Sequence, residues 1–182
     1  MELKLILEKS VKDTEYILQL LKTVELKKID SIEIKAFYLF NEQERSELYN
    51  QLATLKEKKY IYLFKVQDRE NHLLKIKTAF ENFNKGNKPR VLGKTRNTSR
   101  YNSKHNSNTL YVGTSKNIPQ RLKQHLGDGN KRTYSLDLIH WFPKNIDLIL
   151  VIYSINHQEV IESVEQAIWD ETKPLFGKRS GH

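Results

Sequence analysis

The chain has 182 residues, no cysteine and a formal net charge of +9. The missing cysteines exclude a disulfide scaffold and a thiolate metal site, and the longest apolar run, Leu148 to Tyr153, is far too short for a membrane-spanning helix. The length suits one domain with an extension and a core that needs no staples. An acid at position 2 and a lysine inside the first apolar run make a poor signal peptide, so a soluble, cytoplasmic protein is expected.

In chain order, Leu7, Val11, Ile17, Leu18, Leu21 and Val24 recur at helical spacing, with the polar stretch near Lys12 as the place for a break. Ser31 to Phe40, SIEIKAFYLF, alternates and then turns apolar, which reads as a strand. Asn41 followed by Glu44 forms a capping box for a helix running to about Lys56. A second strand, KYIYLFKV, follows at Lys59 to Val66. Residues 84–108 are rich in Asn, Ser, Lys and Gly and poor in apolar side chains. They read as a long loop inserted within the domain, ordering on a partner. Thr109 to Gly113 is a short strand, and Ile118 to Leu126 a helix capped by Ser115 or Asn117 with Pro119 in its first turn. Thr133 to Trp141 reads as a short helix, and Ile146 to Ile155 as a buried strand. His157 to Thr172 is an amphipathic helix with Asn156 as its cap and Pro174 past its end.

Charge is distributed unevenly. Asn84 to Arg132 holds twelve Lys and Arg against one acid, Asp128, a net of +11 that leaves −2 in the rest of the chain. Such a local excess is the footprint of a polyanion partner. No apolar face accompanies it, so a membrane surface is disfavoured.

Within the helix at 118–126, Ile118, Leu122 and Leu126 recur every four residues and face the core, while Arg121 and His125 share the adjacent stripe. An arginine fork matches phosphate oxygens, and a histidine can pass a proton near neutral pH. In the last helix, Val160, Ile161, Val164, Ala167 and Ile168 form the apolar stripe, and Glu165 lies on its edge. A carboxylate there needs a cation, a hydrogen bond or a metal. Tyr62 and Tyr111 lie on strands that can be neighbours, and Trp141 and Trp169 read as core. His72, His105, His140 and His157 lack metal-ligand spacing.

Together these pieces resemble the GIY-YIG nuclease family. LYVGTSKNIPQRLKQHL is similar to its second strand and first catalytic helix, YIYLFKV to its first strand, and ESVEQAIWDETKPLF to the later helix in which a glutamate precedes a Lys-Pro ending. The resemblance covers about residues 59–178. Tyr60 stands where the family's first motif has glycine, with Ile61 and Tyr62 keeping the other two letters, and Tyr38 competes with Tyr62 for the role of first-motif tyrosine. Gly177 stands near the place where the family commonly has an asparagine.

The resemblance implies an α/β fold with a small three-stranded antiparallel sheet flanked by helices. Residues 59–182 would form the nuclease domain, carrying the basic insertion 84–108, and residues 1–58 a mostly helical N-terminal extension. It implies a metal-dependent DNA endonuclease, of which a restriction-type enzyme is one form, using Mg²⁺ or Mn²⁺ and no organic cofactor. Glu165 would hold the metal. Arg121 would stabilise charge on the phosphate. Tyr62, its pKa lowered by nearby positive charge, would deprotonate or orient water, and Tyr111 and His125 would complete the network. Lys85, Lys88, Arg90, Lys94, Arg96, Arg100, Lys104, Lys116 and Lys123 would contact DNA. A non-cleaving nucleic-acid-binding protein on the same fold is the alternative, and an RNA-directed nuclease a remoter one.

Overall fold

A computed structural model describes residues 2–67, 71–87 and 95–179. Their elements are α1 (Glu2–Lys22), β1 (Leu26–Ile34), α2 (Ala36–Leu39), α3 (Glu42–Gln51), β2 (Lys56–Val66), α4 (His72–Gly86), β3 (Thr109–Asn117), α5 (Ile118–Leu126), β4 (Leu148–Ile155) and α6 (Ile161–Thr172). The four strands form one antiparallel sheet in the order β1-β4-β2-β3.

The architecture is the expected α/β one, with two differences. The sheet has a fourth strand, and that strand comes from the N-terminal stretch assigned to a helical extension. β1 pairs with β4 from Leu26↔Ile155 to Ile34↔Leu148. The expected strand at 31–40 is therefore displaced: Ser31–Ile34 ends β1, and Ala36–Leu39 turns into α2, burying Ala36 and Leu39. The polar positions Lys27, Lys28 and Asp30 are compatible with this site because β1 is an edge strand with one solvated face.

β2 reads as a nearly continuous apolar run because it is central and covered on both faces. Tyr60, Tyr62, Phe64 and Val66 enter the larger core with Ile76 and Phe80 of α4 and Ile118, Leu122 and Leu126 of α5. Ile61 and Leu63 point the other way, joining Val112 and Ile155 under Val160, Ile161 and Val164, with Ile17, Leu20 and Val24 packed against them. The sheet is thus a middle layer between helices, each helix covering it with one apolar stripe.

Local chemistry sets several boundaries. Asn41 caps α3, its side chain accepting from the Gln43 and Glu44 N–H groups, but the helix stops at Gln51 because Lys56 already pairs with Asn117 in the sheet. Asn117 caps α5 by accepting from Gln120 N–H, with Pro119 in the first turn and Gly127 closing it at φ +115°. α1 runs unbroken through Lys12. Asn156 does not cap α6. Its amide instead accepts from Glu25 N–H at 2.9 Å and donates to the Thr23 carbonyl at 3.1 Å, tying down the end of α1.

The stretch from 95 to 108 is threaded into the fold rather than left as a loop. Asn97 N–H donates to the Lys131 carbonyl (2.8 Å), Ser99 N–H to Ser135 (2.7 Å), Asn102 N–H to Leu175 (2.8 Å) and Gly177 N–H to Arg100 (2.8 Å). Tyr101 packs on Phe80 and Phe176. This pairing takes the backbone of 131–135 away from the expected helix at 133–141, of which a 3₁₀ turn at Leu138–His140 is formed.

Candidate active site

Tyr62 on β2 lies opposite Gly113 on β3, and Tyr111 lies two residues before that glycine on the same strand. The two rings stack at 6.0 Å with planes 21° apart. Gly113 makes this possible. A Cβ there would sit 2.6 Å from Tyr111 Cε1 and 2.8 Å from the Tyr62 hydroxyl. Gly113→Ala is therefore expected to displace both rings, reducing any cleavage far more than the melting temperature, since alanine itself is tolerated in a strand; a variant with normal activity would show that the ring positions are not needed.

α5 brings Arg121 and His125 against these tyrosines. Arg121 Nε donates to the Tyr62 hydroxyl at 3.1 Å, Nη2 to the Tyr111 hydroxyl at 3.3 Å and Nη1 to Gln124 Oε1 at 2.7 Å. Three branches of one guanidinium are thus fixed in a plane by protein oxygens. His125 is fully buried. Its Nδ1 accepts from Leu136 N–H at 3.2 Å, so the neutral ring carries its proton on Nε2 and donates it to the Tyr62 hydroxyl at 3.0 Å.

Electrostatics settle two expectations. Burial, reinforced by the Arg121 charge, pushes the His125 pKa well below the usual histidine range, so this ring is a fixed donor and not a proton shuttle near neutral pH. Tyr62 is corrected in the same sense. Burial raises its pKa well above 10, the Tyr111 and Glu165 charges raise it further, and Arg121 only partly opposes this. The expected lowering is not found, because the tyrosine is 2 % exposed and desolvation outweighs the single nearby cation.

The histidine carries a stability consequence. An unfolded histidine binds a proton near pH ~6.5, whereas folded His125 refuses it. Its contribution is present above pH ~6.5 and is lost as pH falls towards its depressed folded value, by about 1.4 kcal/mol per pH unit. Urea unfolding at pH 7.5, 6.5 and 5.5 should show this loss in the native protein and a flatter profile in His125→Gln. Equal slopes would place the acid sensitivity elsewhere.

Glu165, half-buried on α6, accepts from Thr114 Oγ1 at 3.0 Å. Thr114 follows Gly113 on edge strand β3, so the carboxylate is anchored at the border of the tyrosine cluster. Among the described residues no group of three or more His, Asp or Glu could hold a metal. One carboxylate still fits Mg²⁺, which keeps several waters and takes few protein ligands.

Tyr111 and Arg121 open into a cleft of about 480 Å³ whose other walls include Arg100, Tyr134, Gly177 and Lys178. Tyr38, the competing tyrosine, instead lines a separate cavity with Glu33 and Glu44.

The expected cationic contacts divide. Arg100 lines the cleft and is exposed. Arg96 is corrected: its guanidinium is committed to buried Asp137 and to the Gly127 carbonyl at 3.1 Å, so it braces the fold instead of facing a polyanion. Lys123 lies over the Tyr49 ring, 5.2 Å from its centroid. Lys85 lies in the last turn of α4, Lys104 is exposed, and exposed Lys116 borders another surface cavity with Lys58 and Lys59. Lys88, Arg90 and Lys94 lie outside the described residues. Tyr134 and Lys178 are cleft residues that sequence reasoning missed. Neither stands in a periodic pattern, and only the pairing of 97–99 with 131–135 and of Arg100 with Gly177 brings them to the cleft.

A guanidinium held by two tyrosine hydroxyls faces a cation-rimmed cleft, with a carboxylate at its border, and this donor set is chemically suited to a phosphate group. Residues 100–179 match the GIY-YIG catalytic domain, the family that the sequence motifs resemble. No curated protein and no solved structure matches the chain. The matched segment contains Tyr111, Arg121, His125 and Glu165 but begins after β2, so it is the sheet that brings Tyr62 to them. Among the described residues no helix is long and apolar enough to cross a membrane.

Proposed function

We propose that the protein is a Mg²⁺- or Mn²⁺-dependent DNA endonuclease. The observation that carries this reading is Arg121: its fork is oriented by Tyr62, Tyr111 and Gln124, and it lines the cleft with exposed Arg100 and Lys178. A phosphodiester drawn in by the rim cations meets a guanidinium already in place, which stabilises charge developing on the phosphate without reorganisation. Tyr111 lines the same cleft, so its hydroxyl is the group that orients the attacking water. Tyr62 and His125 sit behind it and act as positioning residues, holding Arg121 and the Tyr111 ring. Glu165 would hold the metal ion, which when bound supplies Lewis-acid polarisation of the phosphate and the leaving oxygen.

Supercoiled plasmid incubated with the purified protein and Mg²⁺ should be nicked and linearised, and EDTA should stop this. Discrete fragments in place of a smear would mark a sequence-reading, restriction-type enzyme. DNA retained in a gel-shift assay without any cleavage in Mg²⁺ or Mn²⁺ would favour the non-cleaving binder instead.

A further inference from the structure

Tyr134 is 67 % exposed, a large aromatic surface that contributes little to the core. Of the aromatic side chains more than half exposed among the described residues, Tyr16, Phe37 and Tyr134, it is the one that lines the cleft with Arg121. Its stem is rigid. The next residue, Ser135, accepts from Ser99 N–H at 2.7 Å and donates to the Asn97 carbonyl at 3.3 Å. The residue after that, Leu136, is buried and fixes the His125 ring through its N–H. The aromatic face is therefore mounted on the same frame as the Tyr62–Arg121–His125 cluster.

Two exposed cations, Arg100 and Lys178, complete the rim, and neither is in an ion pair among the described residues. Backbone cations beside one exposed aromatic face are the elements of single-strand recognition, since every base has a π-face. A cleft of about 480 Å³ has room for one nucleotide beside Arg121. We propose that Tyr134 is a base-stacking site: a nucleotide flanking the scissile phosphate leaves the helix and stacks on it while Arg100 and Lys178 hold the neighbouring phosphates. The preferred substrate is then DNA with an unpaired nucleotide at the cut, because a continuous duplex must first be unstacked. This rests on the nuclease reading above.

Two measurements test it. Cleavage rates are compared on a continuous duplex and on the same duplex carrying a bulge or flap. In parallel, 2-aminopurine placed at the unpaired position reports stacking by its fluorescence, with EDTA present so that nothing is cut. The native protein should cut the interrupted substrate at least about tenfold faster and quench the 2-aminopurine. Tyr134→Ala, folded as judged by its melting curve, should lose the quench, bind the interrupted DNA about tenfold more weakly and show little preference, whereas Tyr134→Phe should keep both. Equal rates on the two substrates, or a preference that survives Tyr134→Ala, would overturn the proposal. If no DNA is cut in Mg²⁺ or Mn²⁺, the nuclease reading fails and the fluorescence decides alone: a Tyr134-dependent quench upholds the stacking site, and no quench removes it.

Discussion

Arg121→Ala is expected to slow DNA cleavage by about two to three orders of magnitude while the protein stays folded. The side chain lost is the one that reaches both the cleft and the tyrosine pair. Removing one preorganised donor to a developing oxyanion costs a factor of this size in other enzymes, and here the donor is also the cation. Arg121→Lys should recover only part of the rate. A single ammonium is a point charge and cannot replace the planar fork that meets Tyr62, Tyr111 and Gln124 together. A second readout separates this role from packing: the melting temperature of the alanine variant should stay near the native value while cleavage falls. A near-native cleavage rate would remove Arg121 from the mechanism.

Glu165→Gln should reduce Mg²⁺-dependent cleavage by a similar or larger factor. The amide keeps the shape and can still accept from Thr114, but it lacks the charge that would hold a divalent ion. Metal stabilisation of a phosphoryl transition state is worth several kcal/mol, and each ~1.4 kcal/mol is tenfold in rate. DNA affinity in EDTA should persist or tighten, because a negative charge beside the phosphate has gone. The melting temperature should move little. A purely structural carboxylate would give the reverse pattern, clear destabilisation with cleavage lost in proportion to the unfolded fraction. Raising Mn²⁺ should rescue the variant in part only if its defect is metal affinity.

Tyr62, Tyr111, Arg121 and His125, the four residues the fold brings together, were legible because of local patterns. Four-residue spacing places Arg121 and His125 on one stripe beside Ile118, Leu122 and Leu126, and the alternation of β2 puts Tyr62 on the face opposite Ile61 and Leu63. Their protonation was not legible. The depressed His125 and the raised Tyr62 follow from how much of the fold closes over them, which no spacing encodes. The sequence pattern places β1 five residues too late because its outer positions are polar, as an edge strand allows. α4 has no counterpart among the sequence expectations, although Leu73, Ile76, Phe80 and Phe83 recur at helical spacing and all meet the larger core. The basic stretch misled for another reason. Composition signals solvation, yet Asn97, Ser99 and Asn102 satisfy their backbone groups against distant partners, and Arg96 neutralises a buried aspartate. Charge counting along the chain cannot tell a bracing arginine from a substrate-facing one.

The order β1-β4-β2-β3 bears on how the protein acquires its activity. β1 closes against β4, a strand far along the chain, and β2 lies between β4 and β3, its pairing with β3 bringing Tyr62 to Arg121. Pairings of such long sequence separation bring their loop-closure entropy before their contacts, which makes folding slow. While a ribosome is still delivering β4, β3 and α5 have no completed sheet to lie on. Refolding followed by tyrosine fluorescence and by recovered cleavage should therefore give a single late phase in common, the nuclease centre appearing only when the two ends of the chain have met.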